Sequence, residues 1–348
     1  MIAAFVEVNK KGISSSFLYT LLLSLVLLEG LRWYSGTDFL MYYTSYQEVL
    51  NPITEFHNKR YDVFYVWTMT LFKSLHIDYT FFLIFLSSVT AFLYGWSLKK
   101  FTDFPILALL VLFVSLIGFL GSNRQLIALA LVFFGSQFVV SKKYWLYILT
   151  VFVAMGFHFT AIIMLPLVFF NREINLKKWG GFLLLVFLIG LLPLRDFFLF
   201  FLNDNDAIFP FLSERFNSYL KAHNSIASPL QLVLGVLRKL TPVLIVLYFK
   251  NQLKERTGYH LFLNIGFLSI ALYFFLGVTF PFLLGRLTIY YSVFECILYS
   301  WIGYLFVKQK QNQMALLLFF AFCVFLFIKG ISLYPELFIP YKTRFFTF

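Results

Sequence analysis

The 348-residue chain is 61% hydrophobic, 22% aromatic and only 13% charged, whereas a soluble domain averages roughly 45–50% apolar and about 25% charged residues, so a water-soluble globular domain is excluded. Continuous apolar runs of about 17–25 residues also exclude a transmembrane β-barrel, whose strands show alternating segments of about ten. The net charge of +12 reads as cytoplasmic lysines rather than as a nucleic-acid surface, and Cys296 and Cys323 both lie inside apolar runs, which argues against a disulfide framework or a thiol metal site.

In chain order, the N-terminal stretch has a basic pair, Lys10-Lys11, followed by an apolar run too long for the core of a cleavable signal. A retained first spanning helix is expected over 14–32. Further spans are expected near 79–97, 104–120, 124–140, 144–157, 159–171, 179–195, 229–249, 260–279, 287–306 and 314–332. This makes about eleven crossings, with the N-terminus inside and the C-terminus outside. On that layout 14 of the 28 Lys/Arg but only 4 of the 16 Asp/Glu lie on the cytoplasmic side, the bias that the positive-inside rule requires. Residues 61–77 are apolar but short, and counting them as a span would reverse Lys99-Lys100. They are read as a re-entrant or interfacial helix on the outer side. Over 144–171 two runs of about 14 residues are hinged at "MGFHFT", so the chain is expected to enter, turn near His158 and return.

Two sizeable outer loops remain, 33–62 and 196–228. The expected fold is thus one all-α polytopic integral membrane domain over residues 1–348, and a GT-C-like arrangement stays open. The cytoplasmic links carry no P-loop and no glycine fingerprint. Chemistry is therefore expected on the outer face, without a nucleotide or other cofactor.

Arg124 opens the expected helix 124–140. Its charge does not complement a helix N-terminus, which is already positive. The two together make an anion site, because the end offers free N–H groups and arginine a bidentate fork; snorkelling to lipid headgroups is the alternative. Gln125 beside it suits a sugar hydroxyl or a neighbouring helix. His158 lies at the expected break, where a neutral imidazole serves as a general base near neutral pH, although a lone histidine on an apolar face also fits packing. Other basic residues at membrane depth or outer boundaries are Arg32, Arg195, Arg238, Lys239 and Arg286, with Glu295 a counter-ion for Arg238 and Lys239. Arg215 is a loop cation in the second outer loop. In the first loop Asp38, Glu48, Glu55 and Asp62 read as solvated charges by default. Their interleaving with Tyr42, Tyr43, Tyr46 and Trp33 suits sugar rings, and equally suits an interfacial aromatic belt. Paired histidines and dense acidic motifs of metal sites are missing from the sequence.

Residues 123–170, with Arg124-Gln125 opening a helix, the turn Lys142-Lys143 and then Phe157-His158-Phe159-Thr160-Ala161, resemble the core signature of EpsG-like polysaccharide polymerases. These belong to the Wzy-type polymerases of O-antigen, capsule and exopolysaccharide repeat units. The stretch "TDFLMYYTSYQ" (37–47) resembles the family's aspartate-plus-tyrosine loop, and "FLYGWSLKKF" the end of its next helix. Residues 35–170 carry the likeness. One departure is "KRYDVFY", where a glutamate-proline-glycine pattern is expected.

The resemblance implies an enzyme of the bacterial inner membrane working at the periplasmic face. It would move a growing glycan from undecaprenyl pyrophosphate to the non-reducing end of a new lipid-linked repeat. Arg124, helped by Arg286 and Arg238, would bind the pyrophosphate. His158 would act as base or phosphate contact, and Asp38 would orient or deprotonate the acceptor. Gln125, Arg215 and Tyr42 would touch the glycan. The implied partners are the undecaprenyl-pyrophosphate-linked oligosaccharide, the lipid bilayer and a chain-length regulator protein. The alternatives are an O-antigen ligase and, outside enzymes, a flippase for the same lipid-linked repeat.

Overall fold

A computed structural model describes residues 1–10, 15–49, 51, 53, 61–192, 229–277, 280–308, 313–332 and 334–345. Among the described residues the regular structure is helical, apart from one isolated bridge between Arg32 and Thr343. The helices are α1 (Ile2–Lys10), α2 (Ser15–Gly30), α3 (Phe39–Glu48), α4 (Val63–Ser74), α5 (Tyr79–Phe101), α6 (Pro105–Leu116), α7 (Asn123–Val140) and α8 (Tyr144–Phe157). A 3₁₀ segment (Phe159–Phe169) follows, then α9 (Leu176–Gly190), α10 (Pro229–Tyr248), α11 (Tyr259–Gly277), α12 (Pro281–Ser292), α13 (Glu295–Lys308) and α14 (Gln313–Ser332).

Most of these helices are apolar all the way round, which suits burial on one side and lipid on the other. Phe92, Trp96, Trp145, Phe152, Leu184 and Leu188 stand exposed on the outside of the bundle, as acyl chains but not water would favour. The all-helical backbone satisfies its own hydrogen bonds, the condition for crossing hydrocarbon. The protein is membrane-embedded. Among the described residues three helices, α5, α7 and α11, are long and apolar enough to cross by themselves, and the bent pair α12–α13 makes a fourth; five others are apolar but shorter. The expectation of about eleven crossings therefore stands only in that coarser form.

Helix α7 forms the centre of one half, with 13 of its 18 residues buried, and packs between α5 and α8, while α2 lies along α5. In the other half α11 packs on α9, α10 and α12. Helices α6, α13 and α14 join the halves. Polar turns gather at one end. There Lys100 donates to Gln137 at 3.0 Å, Asn171 to the Val139 carbonyl at 3.0 Å, and Arg256 pairs with Asp103. Glu7 of α1, almost fully buried, accepts from the N–H groups of Ile106 and Leu107 at 3.0 and 2.8 Å, so its carboxylate caps the N-terminus of α6. At the opposite end residues 334–345 lie along 31–36. Trp33 N–H donates to the Lys342 carbonyl and Gly36 N–H to the Leu337 carbonyl, both at 2.7 Å. Arg344 pairs with Asp78, the N-cap of α5.

Several local features bear on the sequence expectations. The expected span 287–306 is two helices, α12 starting at Pro281 and α13 at Glu295, bent by 46°. Apolarity runs unbroken across Val293-Phe294, so composition gives no sign of the break. The 33–62 loop contains α3, whose buried face is Phe39, Tyr42, Ser45 and Tyr46, and α1 precedes the first expected span. Helix α4 lies within 61–77; its two ends, at Asp62 and at the turn to Asp78, are both on the side of α3 and the 334–345 segment, so it runs across that end rather than through the bundle. The chain turns at His158, and Tyr147 on the way in donates to the Met164 carbonyl on the way back at 2.6 Å. The returning leg is an 11-residue 3₁₀ segment containing Pro166; such runs rarely exceed 3–4 residues.

Candidate functional site

The turn ahead of α7 sets the site. Gly36 and Gly121 have φ of +87° and +105° and cross closely. A Cβ on Gly36 would meet the Leu120 carbonyl oxygen at 2.5 Å and one on Gly121 the Thr37 nitrogen at 2.7 Å, so both conformation and space demand glycine. This crossing puts Asp38, at the start of α3, beside Ser122, whose hydroxyl donates to Asp38 Oδ2 at 3.0 Å. Ser122 is the N-cap residue of α7 but makes no side-chain cap, because that hydroxyl is engaged by Asp38. The helix end is therefore left without a side-chain acceptor.

Arg124 is the second residue of α7. Its Nη1 pairs with Asp62 Oδ2 at 3.1 Å and its Nε donates to the Tyr42 hydroxyl at 3.0 Å. The guanidinium carbon stands 4.7, 5.5 and 6.0 Å from the ring centres of Tyr61, Tyr42 and Tyr65, a cation held against three π-faces. It is mostly buried, with 15% of its side chain exposed. Burial pushes the Tyr42 phenol up to about 12; Arg124 opposes the rise and Asp38 adds to it. Tyr42 is thus neutral at physiological pH and serves as a hydrogen-bond partner, not a base. Among the described residues the buried Tyr65 hydroxyl finds no hydrogen-bond partner.

His158 ends α8. Its Nδ1 is 2.5 Å from Thr160 Oγ1, Thr160 is 3.2 Å from the Tyr290 hydroxyl, and Tyr290 is 3.4 Å from His158 Nδ1. Phe157, the residue before, packs on Phe64 two residues after Asp62, and Tyr290 lies within electrostatic reach of Asp62 and Arg124. Two clusters, Arg124–Asp62–Tyr42 and His158–Thr160–Tyr290, therefore adjoin. Gln125 Nε2 donates to the Arg286 carbonyl at 3.0 Å, which brings α12 to the same end of α7, and the Arg286 residue is exposed.

The sequence-derived residues thus separate into three groups. Arg124, Gln125, Asp38, Tyr42, His158 and the backbone of Arg286 gather around the N-terminus of α7. Arg238 does not join them through its ion pair: it bonds Glu295 Oε2 at 3.3 Å, with Lys239 on the other carboxylate oxygen at 3.1 Å. This matches the counter-ion expected for it and removes the reason to place it on pyrophosphate. Arg32 is buried and paired to Glu29 at 2.7 Å, and its Nη2 reaches Asn123 Oδ1 at 2.5 Å, a structural role beside the site. Arg215, the loop 196–228 and Arg195 lie outside the described residues. Sequence reasoning missed Asp62, taken for a solvated loop charge, and Tyr61, Tyr65, Thr160 and Tyr290. The one available signal was "RYDVFY", a carboxylate flanked by tyrosines ahead of an apolar run.

Next to the site lies an apolar crevice of about 110 Å³ between α2, α5, α6 and α7, lined by Leu25, Leu86, Leu112, Phe113 and Leu126, with Glu29, Ser87, Thr90 and Asn123 among the polar residues in its wall. Among the described residues no group of three or more His, Cys, Asp or Glu forms a metal-binding cluster. Neither the curated proteins nor the solved structures compared contain a match to the chain. A family model described as EpsG family matches residues 16–343, nearly the whole length. On that match the chain belongs to the EpsG family and is, with its apolar helices, a membrane protein of the polysaccharide-polymerase type.

Proposed function

We propose that this protein is a Wzy-type polymerase that transfers a growing glycan from undecaprenyl pyrophosphate to the non-reducing end of a new lipid-linked repeat unit, at the periplasmic face of the bacterial inner membrane. The observation that carries the reading is Arg124: a largely buried guanidinium at an N-terminus without a side-chain cap, flanked by tyrosines and one carboxylate. A pyrophosphate meets there a helix end and a bidentate cation. The neighbouring crevice is walled mostly by aliphatic side chains, the polarity a polyprenyl tail requires.

In the proposed step the acceptor hydroxyl attacks the anomeric carbon of the donor sugar. The bond from that carbon to the pyrophosphate oxygen breaks, and the electron pair leaves with the pyrophosphate. Arg124, with Arg286 beside it, stabilises the departing charge, a large contribution in a partly dry site. His158, whose Nδ1 is engaged by Thr160, takes the proton of the attacking hydroxyl. Asp38 orients the acceptor, while Tyr42 and Gln125 are the glycan-side contacts of the described residues. Asp62 holds the guanidinium in plane until the anion arrives. No nucleotide is needed, because the donor is already activated. The proposed partners are the lipid-linked oligosaccharide and a chain-length regulator.

The test is polymer length in cells carrying Arg124→Ala at normal protein levels. Surface glycan is expected to collapse to a core bearing a single repeat. Polymer of ordinary length would sink the assignment, and a core with no repeat at all would point instead to a ligase or flippase.

A further inference from the structure

The break between α12 and α13 is spanned by one side chain. Lys239 of α10, nearly fully buried, donates at 2.5 Å to Ser292 Oγ, the last residue of α12, and at 3.1 Å to Glu295 Oε1, the first residue of α13. Its third bond, 2.8 Å, goes to Ser269 Oγ on α11. An ammonium has three donors and no acceptor, so its capacity is filled by these three. Arg238 holds the other oxygen of Glu295, which leaves that carboxylate fixed at the N-terminus of α13, where a negative charge is favoured. Charges this deep are costly unless every partner is present, and here the partners lie on both lips of a 46° kink.

Helix α12 is tied to the site at several points. Tyr290, two residues before Ser292, meets Thr160 and His158; Tyr291 donates to the Ile163 carbonyl at 2.6 Å; and the Arg286 carbonyl receives Gln125. Rotation at the kink would move all of these together.

We infer that Lys239 is a positioning residue that fixes the kink between α12 and α13 and thereby sets the pose of Tyr290 and Arg286 at the site. Its effect on turnover rests on the polymerase reading above; its effect on the pose of α12 does not. The pose is read by a distance between spin labels on Gly285→Cys and Phe81→Cys in nanodiscs, with Cys296 and Cys323 replaced by alanine. Gly285 is exposed and a side chain there meets nothing within 4 Å; Phe81 is exposed on α5.

A narrow distribution is expected in the parent and in Ser269→Ala, which cuts the bond to α11 alone. A shifted or broadened one is expected in Lys239→Met, which removes the ammonium alone, and in Ser292→Ala, which cuts the bonds of the α12 lip to Lys239 and to Glu295. Equal distributions in Ser292→Ala and Ser269→Ala would overturn the inference, whether both stay narrow or both broaden. In a turnover assay with lipid-linked repeats, Ser292→Ala is expected to lower kcat about ten-fold with KM little changed. A parent without turnover would defeat the polymerase reading and leave the label distances to decide the role of Lys239.

Discussion

Arg124 is held by contacts of two kinds, and substitution can separate them. Tyr42 supplies both a π-face at 5.5 Å and a hydroxyl that accepts from Nε at 3.0 Å. Tyr42→Phe keeps the ring and deletes the acceptor, leaving a mostly buried charged donor unsatisfied, a loss of about 1–3 kcal/mol. The expected outcome is a lower melting temperature in detergent and a KM for the lipid-linked donor raised about ten-fold, since about 1.4 kcal/mol corresponds to a factor of ten. Unchanged KM in a destabilised variant would make Tyr42 a packing residue only. At this scale the sequence was informative about Arg124, because an arginine at the mouth of an apolar helix stands out whatever surrounds it. Asp62 was hidden. Its partner lies 62 residues away, and a carboxylate in a polar loop looks solvated until the fold delivers a cation to it.

Elements were legible to the extent that length and apolarity define them. The spans around α5, α7 and α11 could be read directly, and the Lys-rich flanks on both sides of 144–171 favoured a reversal at His158 over the alternative of one long tilted helix. Helix α3 was obscured by its tyrosines, which populate a loop and an amphipathic helix equally well. Helix α1 is shorter than a span, and its meaning depends on a group that composition cannot locate, the buried N-terminus of α6. There the first-turn N–H groups of Ile106 and Leu107 are met by Glu7. Burial pushes the Glu7 carboxyl up to about 7, against the pull of those two N–H groups. An acid whose pKa is higher folded than unfolded binds its proton more tightly in the folded state. Its contribution is therefore full below about 4.5 and lost as pH rises through about 7. The melting temperature of the wild type minus that of Glu7→Gln is expected to fall between about pH 5 and about pH 8. A flat difference would mean that the helix end, rather than the burial, governs this carboxyl.

For the whole molecule, the end that carries Asp38 and the N-terminus of α7 is closed by contacts between residues about 300 positions apart. Trp33 and Gly36 donate to carbonyls of Lys342 and Leu337, Tyr341 to that of Leu28, and the Arg344 guanidinium lies 5.5 Å from the Trp33 ring. The double variant Tyr341→Phe/Arg344→Ala is expected to speed amide exchange at Trp33 and Gly36 while leaving the buried amides of α11 protected, and to lower polymerisation several-fold, because Asp38 stands two residues beyond Gly36. Equal speeding throughout would indicate general destabilisation instead.

That clasp also has a meaning in time. Membrane helices enter the bilayer in the order of synthesis, so residues 31–38 and the N-terminus of α7 are in place long before residues 334–345 are made. Until the last helix has crossed, the segment preceding Asp38 has no partner strand, and every shorter nascent chain carries Arg124 beside an unlatched loop. The site's surroundings are thus completed only once residues 334–345 have been made, and a chain interrupted before them is expected to lack activity even though most of the groups proposed to do the chemistry are already present.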